Sequence, residues 1–274
     1  MRRYWGQQKP PLGVPANKGH ILCPSSGLWL MSEGSGNTVA DLSGNSKTGT
    51  FQNSPTWTAG NYGPAIDFVS GDNDWISVPT ISVPTNITVI ASIRASSYVQ
   101  DGSLVGKKSA NSNWLLFFEE IGAVGNLRWR GGAIENTCSV PVASYMTAGE
   151  PYIIAATQAG TAATLYINGN LVDAATLTAI GNSSDVVTIG RGDGTFYSFN
   201  GLIDFVYIYN RALSPSEIQQ LYREPFCMFV DDMPVAMMYS YGAAPAPTGQ
   251  VILIQMSAVP IALMGLFWLR KRAA

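Results

Sequence analysis

Histidine is almost missing from this chain: His20 is the only one in 274 residues. That makes multi-histidine metal sites and His-based catalytic triads hard to build, and His20 itself sits in a Gly/Pro-rich stretch ahead of any strand pattern, where acid–base chemistry is not expected. Charge is scarce as well. Asp, Glu, Lys and Arg make up 12% of residues, about half the ~25% of an ordinary soluble domain. The 16 basic residues offset 18 acidic ones for a net charge of −2. Nucleic acid is therefore not expected as a partner, because phosphate binding needs clustered Lys and Arg. The three cysteines, Cys23, Cys138 and Cys227, are odd in number and have no metal-like spacing. No zinc or redox motif is present, and buried thiols are the expectation. No phosphate-cradling loop occurs.

The first residues, MRRYWGQQKPPLGVPANKGH, carry two Arg but no apolar h-region, so no secretory signal peptide is read there. The other end differs. Residues 251–269, VILIQMSAVPIALMGLFWL, are uncharged and are followed by Arg270, Lys271 and Arg272. Length and basic flank fit a transmembrane span. A buried strand over 251–254 followed by a short core helix kinked at Pro260 is the competing reading. A lone C-terminal span resembles a tail anchor, which keeps the preceding domain in the cytoplasm, whereas the basic flank favours the opposite orientation.

What is abundant points to strands. Gly 28, Pro 16 and Tyr 12 accompany many Thr, Ser and Asn, a composition of strands joined by frequent turns rather than a helical bundle. About ten short strand candidates follow one another from residue 27. Among them Ile87–Arg94 alternates with the period of a half-buried strand. Turn clusters separate them, including Ser43-Gly44-Asn45, Asn168-Gly169-Asn170 and Gly192-Asp193-Gly194. This spacing predicts an all-β antiparallel sandwich or barrel. Helix is expected only over Ser214–Arg223, with Ser214 as N-cap, Pro215 at N1 and Glu217 completing a capping box. The chain then divides into an N-terminal arm (1–24), a domain (25–224), a Pro/Met-containing linker (225–250), the apolar segment (251–269) and a basic tail (270–274).

Several phrases resemble laminin-G-like, concanavalin A-like jelly-roll domains. They are LWLMSEGSGNTVADLSGNSKTGTFQNSPTW at 28–57, YGPAIDFVSGDNDWISVP at 62–79, TLYINGNLV at 164–172, and VTIGRGDGTFYSFNGLIDFVYIYNRALSPSEIQQLY at 187–222. The resemblance implies two packed antiparallel sheets, often a calcium ion, and a role in binding glycans or proteins. For calcium it points to Glu33, Asp41, Asn45 and Asp204, although Phe205 follows Asp204 where the family commonly has Glu, and Ser32 stands where Asn often precedes the acid. Hard oxygen donors on Asp/Asn/Gly loops suit that ion. Asx turns and backbone hydrogen bonds are the alternative use of the same residues.

For a sugar ligand, exposed aromatics are the expected platform. Trp57, Tyr62, Tyr197 and Phe199 lie nearest predicted loops, whereas Trp75 and Trp114 read as core. Relatives that are glycosidases carry E-x-D-x-x-E on one strand, which is absent here; Glu119 and Glu120 are adjacent and point to opposite faces. The Arg191-Gly192-Asp193 tripeptide and the Asn86-Ile87-Thr88 and Asn182-Ser183-Ser184 sequons are read as turn chemistry and weak glycosylation signals.

The leading expectation is a non-catalytic recognition or adhesion module for carbohydrate or protein, held by residues 251–269 at a membrane or a large assembly. The alternative is a structural or decoration protein of a phage-like particle, since GQQKPPLGVPANKGH and REPFCMF look similar to extensions beside this domain in such proteins. A virion setting needs no signal peptide, and subunit contacts there, including homo-oligomeric ones, could accept the apolar tail. A glycoside hydrolase of the same fold is the second alternative.

Overall fold

The alternating run at 87–94 becomes the strand Asn86–Ala95, paired on one side with Tyr152–Ala159 and on the other with Gly201–Tyr209. The computed structural model describes residues 3–5, 7–82, 85–98, 101–107, 113–121, 124–132, 137–181, 184–192 and 198–231. Within them two antiparallel sheets of eight strands each pack as a jelly-roll sandwich. The first sheet runs Thr137–Pro141, Val124–Gly132, Asn113–Ile121, Gly102–Lys107, Val187–Ile189, Trp75–Val78, Gly49–Gln52, Thr38–Val39. The second runs Asn170–Thr176, Ala162–Ile167, Tyr152–Ala159, Asn86–Ala95, Gly201–Tyr209, Pro64–Phe68, Thr56–Ala59, with Gly27–Trp29 also on the 201–209 strand.

Between the sheets lies the main core. Ile87, Val89, Ala91 and Ile93 from one sheet meet Ile76, Leu104, Leu116 and Trp129 from the other. The outer face of the second sheet is covered too, so the half-buried strand expected at 87–94 is buried on both faces. Ile90, Phe205, Tyr207 and Tyr209 carry a second apolar layer made of Trp5, Ala16 and Leu22 of the arm, Ile218 and Leu221 of the helix, and Phe226 to Phe229. Packed chain thus continues to residue 231, where Val230–Asp231 pairs with Arg3–Tyr4, through the stretch that reads as the start of a linker.

Polar groups on this covered face are matched. Thr88 Oγ1 donates to the Arg211 carbonyl at 2.8 Å and accepts from Leu213 N–H at 2.9 Å. Tyr209 Oη donates to Leu22 O at 2.8 Å, and Tyr207 Oη to Pro225 O at 2.9 Å. The helix Pro215–Arg223 has the capping box expected of Ser214 and Glu217. Arg211 grips Glu217 through both nitrogens (2.9 and 2.8 Å) and also donates to Ile21 O at 2.8 Å, tying the arm to the helix start. No helix among the described residues is long and apolar enough to cross a membrane. Residues 251–269 and 270–274, expected to anchor the chain, lie outside the described residues.

Candidate functional site

The 201–209 strand carries a β-bulge. Ile203 pairs with Ile93 and Phe205 with Ser92, which leaves Asp204 as the extra residue. Bulges re-aim a side chain and interrupt the ladder. Asp204, fully buried, accepts from Asn61 N–H at 2.8 Å and Tyr62 N–H at 3.3 Å through Oδ1, and from Ser92 Oγ at 3.4 Å through Oδ2. The donors belong to the 60–63 turn, closed by Gly60 N–H to Gly63 O at 2.7 Å. Gly60 is required there, since a Cβ would strike Asp204 Oδ1 and Ala65.

Beside this turn opens a cavity of about 250 Å³. It is lined by Gln7 of the arm, Asn61, Tyr62, Tyr152, Asn168 and Arg223, among others. Tyr62 is half-buried, its ring 5.7 Å from Phe205 and 5.5 Å from Phe226. Burial, then the negative field of Asp204, pushes the Tyr62 hydroxyl pKa up. Asn168 sits at φ 49° and holds the rim by accepting Ile153 N–H at 2.9 Å. Tyr152 Oη accepts Thr147 N–H at 2.9 Å, and Gln7 Nε2 donates to Arg223 O at 2.6 Å. The lining combines tyrosine rings, amides and one guanidinium. Among the described residues that line it there is no Asp or Glu.

A buried cation lies near the same bulge. Lys9 is 7% exposed, and its Nζ donates to Met31 O at 3.4 Å and to Pro64 O. Burial lowers its pKa to about 8, against the opposing pull of Asp204 and Glu33. Desolvation likewise raises the Asp204 pKa, with Lys9 opposing.

The four residues expected to hold calcium each carry hydrogen bonds of their own. Asp41 Oδ1 accepts from Leu28 N–H (3.1 Å) and Ser43 N–H (2.9 Å), and Oδ2 from Lys47 N–H (3.0 Å), so it closes the 41–47 loop. Asn45 Nδ2 donates to Ser25 O at 2.8 Å and Ser43 Oγ at 2.9 Å. Glu33 Oε1 accepts Ala40 N–H at 2.8 Å, and Asp204 serves the bulge. Among the described residues no group of three or more His, Cys, Asp or Glu could hold a metal ion.

Of the four aromatics expected to bind ligand, Tyr62 lines the cavity. Phe199 is instead core, 1% exposed, with its ring 6.5 Å from those of Phe68 and Phe118, because it joins the apolar cluster between the sheets. Trp57 lies in the strand Thr56–Ala59 rather than a loop, packed on Phe51 with its Nε1 donating to Gly36 O at 2.7 Å. Tyr197 lies outside the described residues, as do Asp193, Asn182 and Ser183. Arg191 stacks over Trp75 at 5.2 Å, and Asn86 accepts Gly160 N–H at 2.9 Å. Glu119 and Glu120 fall inside the strand Asn113–Ile121 of the first sheet, and Glu119 pairs with Arg128. Gln7, Lys9, Tyr152 and Arg223 carried no sequence signal; Asn168 stood only in a turn cluster.

A family model for the laminin G type, described as concanavalin A-like lectin/glucanases superfamily, matches residues 70–219. No curated protein sequence matches the chain. Among solved structures, domain 4 of the GH43 extracellular arabinanase AbnA from Geobacillus stearothermophilus, solved with arabinotriose, is 20% identical (TM-score 0.58; 67% of this chain and 92% of that one). The binding domain of Paraclostridial Mosquitocidal Protein 1 is 19% identical (TM-score 0.56; 74% and 52%). The binding domain of Botulinum Neurotoxin DC in complex with SialylT is 16% identical (TM-score 0.55; 73% and 52%). The chain spans about half the length of these two toxin domains. The family match covers just over half of the 274 residues and falls on the two-sheet jelly roll, so the chain belongs to the concanavalin A-like lectin/glucanases superfamily.

Proposed function

We propose that this chain is a non-catalytic recognition module that binds carbohydrate in the cavity beside the 60–63 turn. One observation carries the reading: the described residues that line that cavity include tyrosines, amide side chains and Arg223, with no Asp or Glu among them. Sugar hydroxyls are matched by amide and guanidinium groups, and sugar rings by tyrosine faces. Glycoside hydrolysis instead needs two carboxyl groups at a set separation across the scissile bond. Its volume, about 250 Å³, suits one terminal sugar unit at the small end of ligand pockets. Support comes from the relatives, solved with arabinotriose, with SialylT and, for a further Botulinum neurotoxin DC binding domain, with rat synaptotagmin II. Residues 251–269 supply the attachment of the module to a membrane in this reading.

Glycan-array binding followed by titration of the full chain tests it. Binding to at least one glycan is expected, lost in Tyr62→Ala and Asn168→Ala with the melting transition retained. A glycan affinity untouched by both changes would move the site elsewhere. Silence on the whole array would favour a protein ligand.

A further inference from the structure

The arm places a positive charge beside two of the acids for which the family resemblance implies a metal, Glu33 and Asp204. Lys9 lies 22 residues before Met31 and 55 before Pro64, yet its ammonium reaches both main-chain carbonyls. Met31 adopts φ 47°, in the left-handed region that a bulky side chain rarely enters. Its carbonyl is one of the two oxygens on the ammonium. Two carboxylates add their fields, Asp204 and Glu33. Glu33 Oε2 is buried and makes no hydrogen bond among the described residues. Two carbonyls receive the ammonium directly, and the fields of the two carboxylates favour a positive charge there.

We propose that Lys9 is a built-in cation: its ammonium fills this oxygen-lined cradle between Met31 and the Asp204 bulge, so that the domain holds its fold without bound calcium. A divalent ion entering the cradle would face the ammonium at close range, and Asp41 and Asn45 are committed to their own loop. The charge also arrives on the segment that bears Trp5 and Gln7. The cradle therefore fixes the arm over the second sheet, a task a diffusible metal could not do.

Thermal unfolding of the full chain in chelator and in millimolar calcium tests this. The wild-type midpoint is expected to be the same in both, because a ligand that binds only the folded state must raise it. Lys9→Gln, which keeps amide donors without charge, and Lys9→Ala should melt lower, and calcium should raise the midpoint of both. A calcium-dependent rise in the wild type would overturn the proposal. So would wild-type stability of the two variants, or variants that melt lower and ignore calcium, which would make Lys9 a hydrogen-bonding strut only. If neither variant folds in chelator, their recovery in calcium supports the cradle and failure to recover refutes it.

Discussion

Trp129 Nε1 donates to Gln158 Oε1 at 3.0 Å, joining the two sheets through the middle of the sandwich. Gln158 is fully buried, and its amide nitrogen donates to Gly160 O and Thr178 O, both at 2.9 Å. One side chain thus satisfies an indole and two carbonyls. Gly131 opposite leaves the room, since a Cβ there would strike the Gln158 amide. A buried donor left without its partner costs about 1–3 kcal/mol. Gln158→Leu should therefore lower stability by at least about 2 kcal/mol, read as a shift of the denaturant midpoint with an unchanged slope. A variant as stable as wild type would show that the clamp contributes nothing net.

Local features were legible in the chain, and distant ones were not. Ser214, Pro215 and Glu217 specify the helix start through contacts within three residues, and the structure has that capping box. The alternation at 87–94 marked a strand but not its covering layer, because Phe226, Met228 and Phe229 reach Phe205 and Tyr207 only after the chain turns back. Phe199 follows a turn, so its position suggested exposure. Which way the ring points is decided by Phe68 and Phe118, more than eighty residues earlier in sequence. Lys9 had no signal as a buried charge: an isolated Lys in a Pro-rich arm reads as solvated until the fold brings the Met31 and Pro64 carbonyls to it.

The second apolar layer should be as costly to disturb as the main core. Phe229 is fully buried against the sheet face that carries Phe205 and Tyr207. Phe229→Ala is expected to cost about 3–5 kcal/mol, the range for large-to-small changes at buried aromatics. Val186→Ala, at a side chain 44% exposed, should stay within about 0.5 kcal/mol. Equal midpoints for the two variants would mean that residues 225–231 are a dispensable appendage.

The Arg211 guanidinium beside Glu217 holds that carboxyl below its usual range, helped by hydrogen bonds from Ser214. A carboxylate whose folded pKa is depressed binds fewer protons folded than unfolded. Its contribution is complete above the unfolded value of about 4.3 and fades as pH falls through that value towards the folded pKa. The pair is partly solvated, so Glu217→Gln should cost less than about 1 kcal/mol at neutral pH. At pH near 3 the difference from wild type should shrink. Melting both proteins at the two pH values checks the sign, and a gap that widens in acid would contradict it.

Gly60 links stability to the candidate site. A Cβ added there would meet Asp204 Oδ1 and Ala65, and the next two residues donate their N–H groups to that carboxylate. A methyl at Gly60 must push the turn off the bulge. Overpacking of this kind costs about 1–3 kcal/mol, and here it also displaces Asn61 and Tyr62 from the cavity they line. Gly60→Ala should thus lower the melting midpoint and weaken ligand binding together. Gly71→Ala, where an added Cβ meets nothing within 4 Å, should change neither. Loss of stability with affinity intact would show that the cavity tolerates movement of the turn, and would shift the binding role from Tyr62 to the opposite rim at Tyr152 and Asn168.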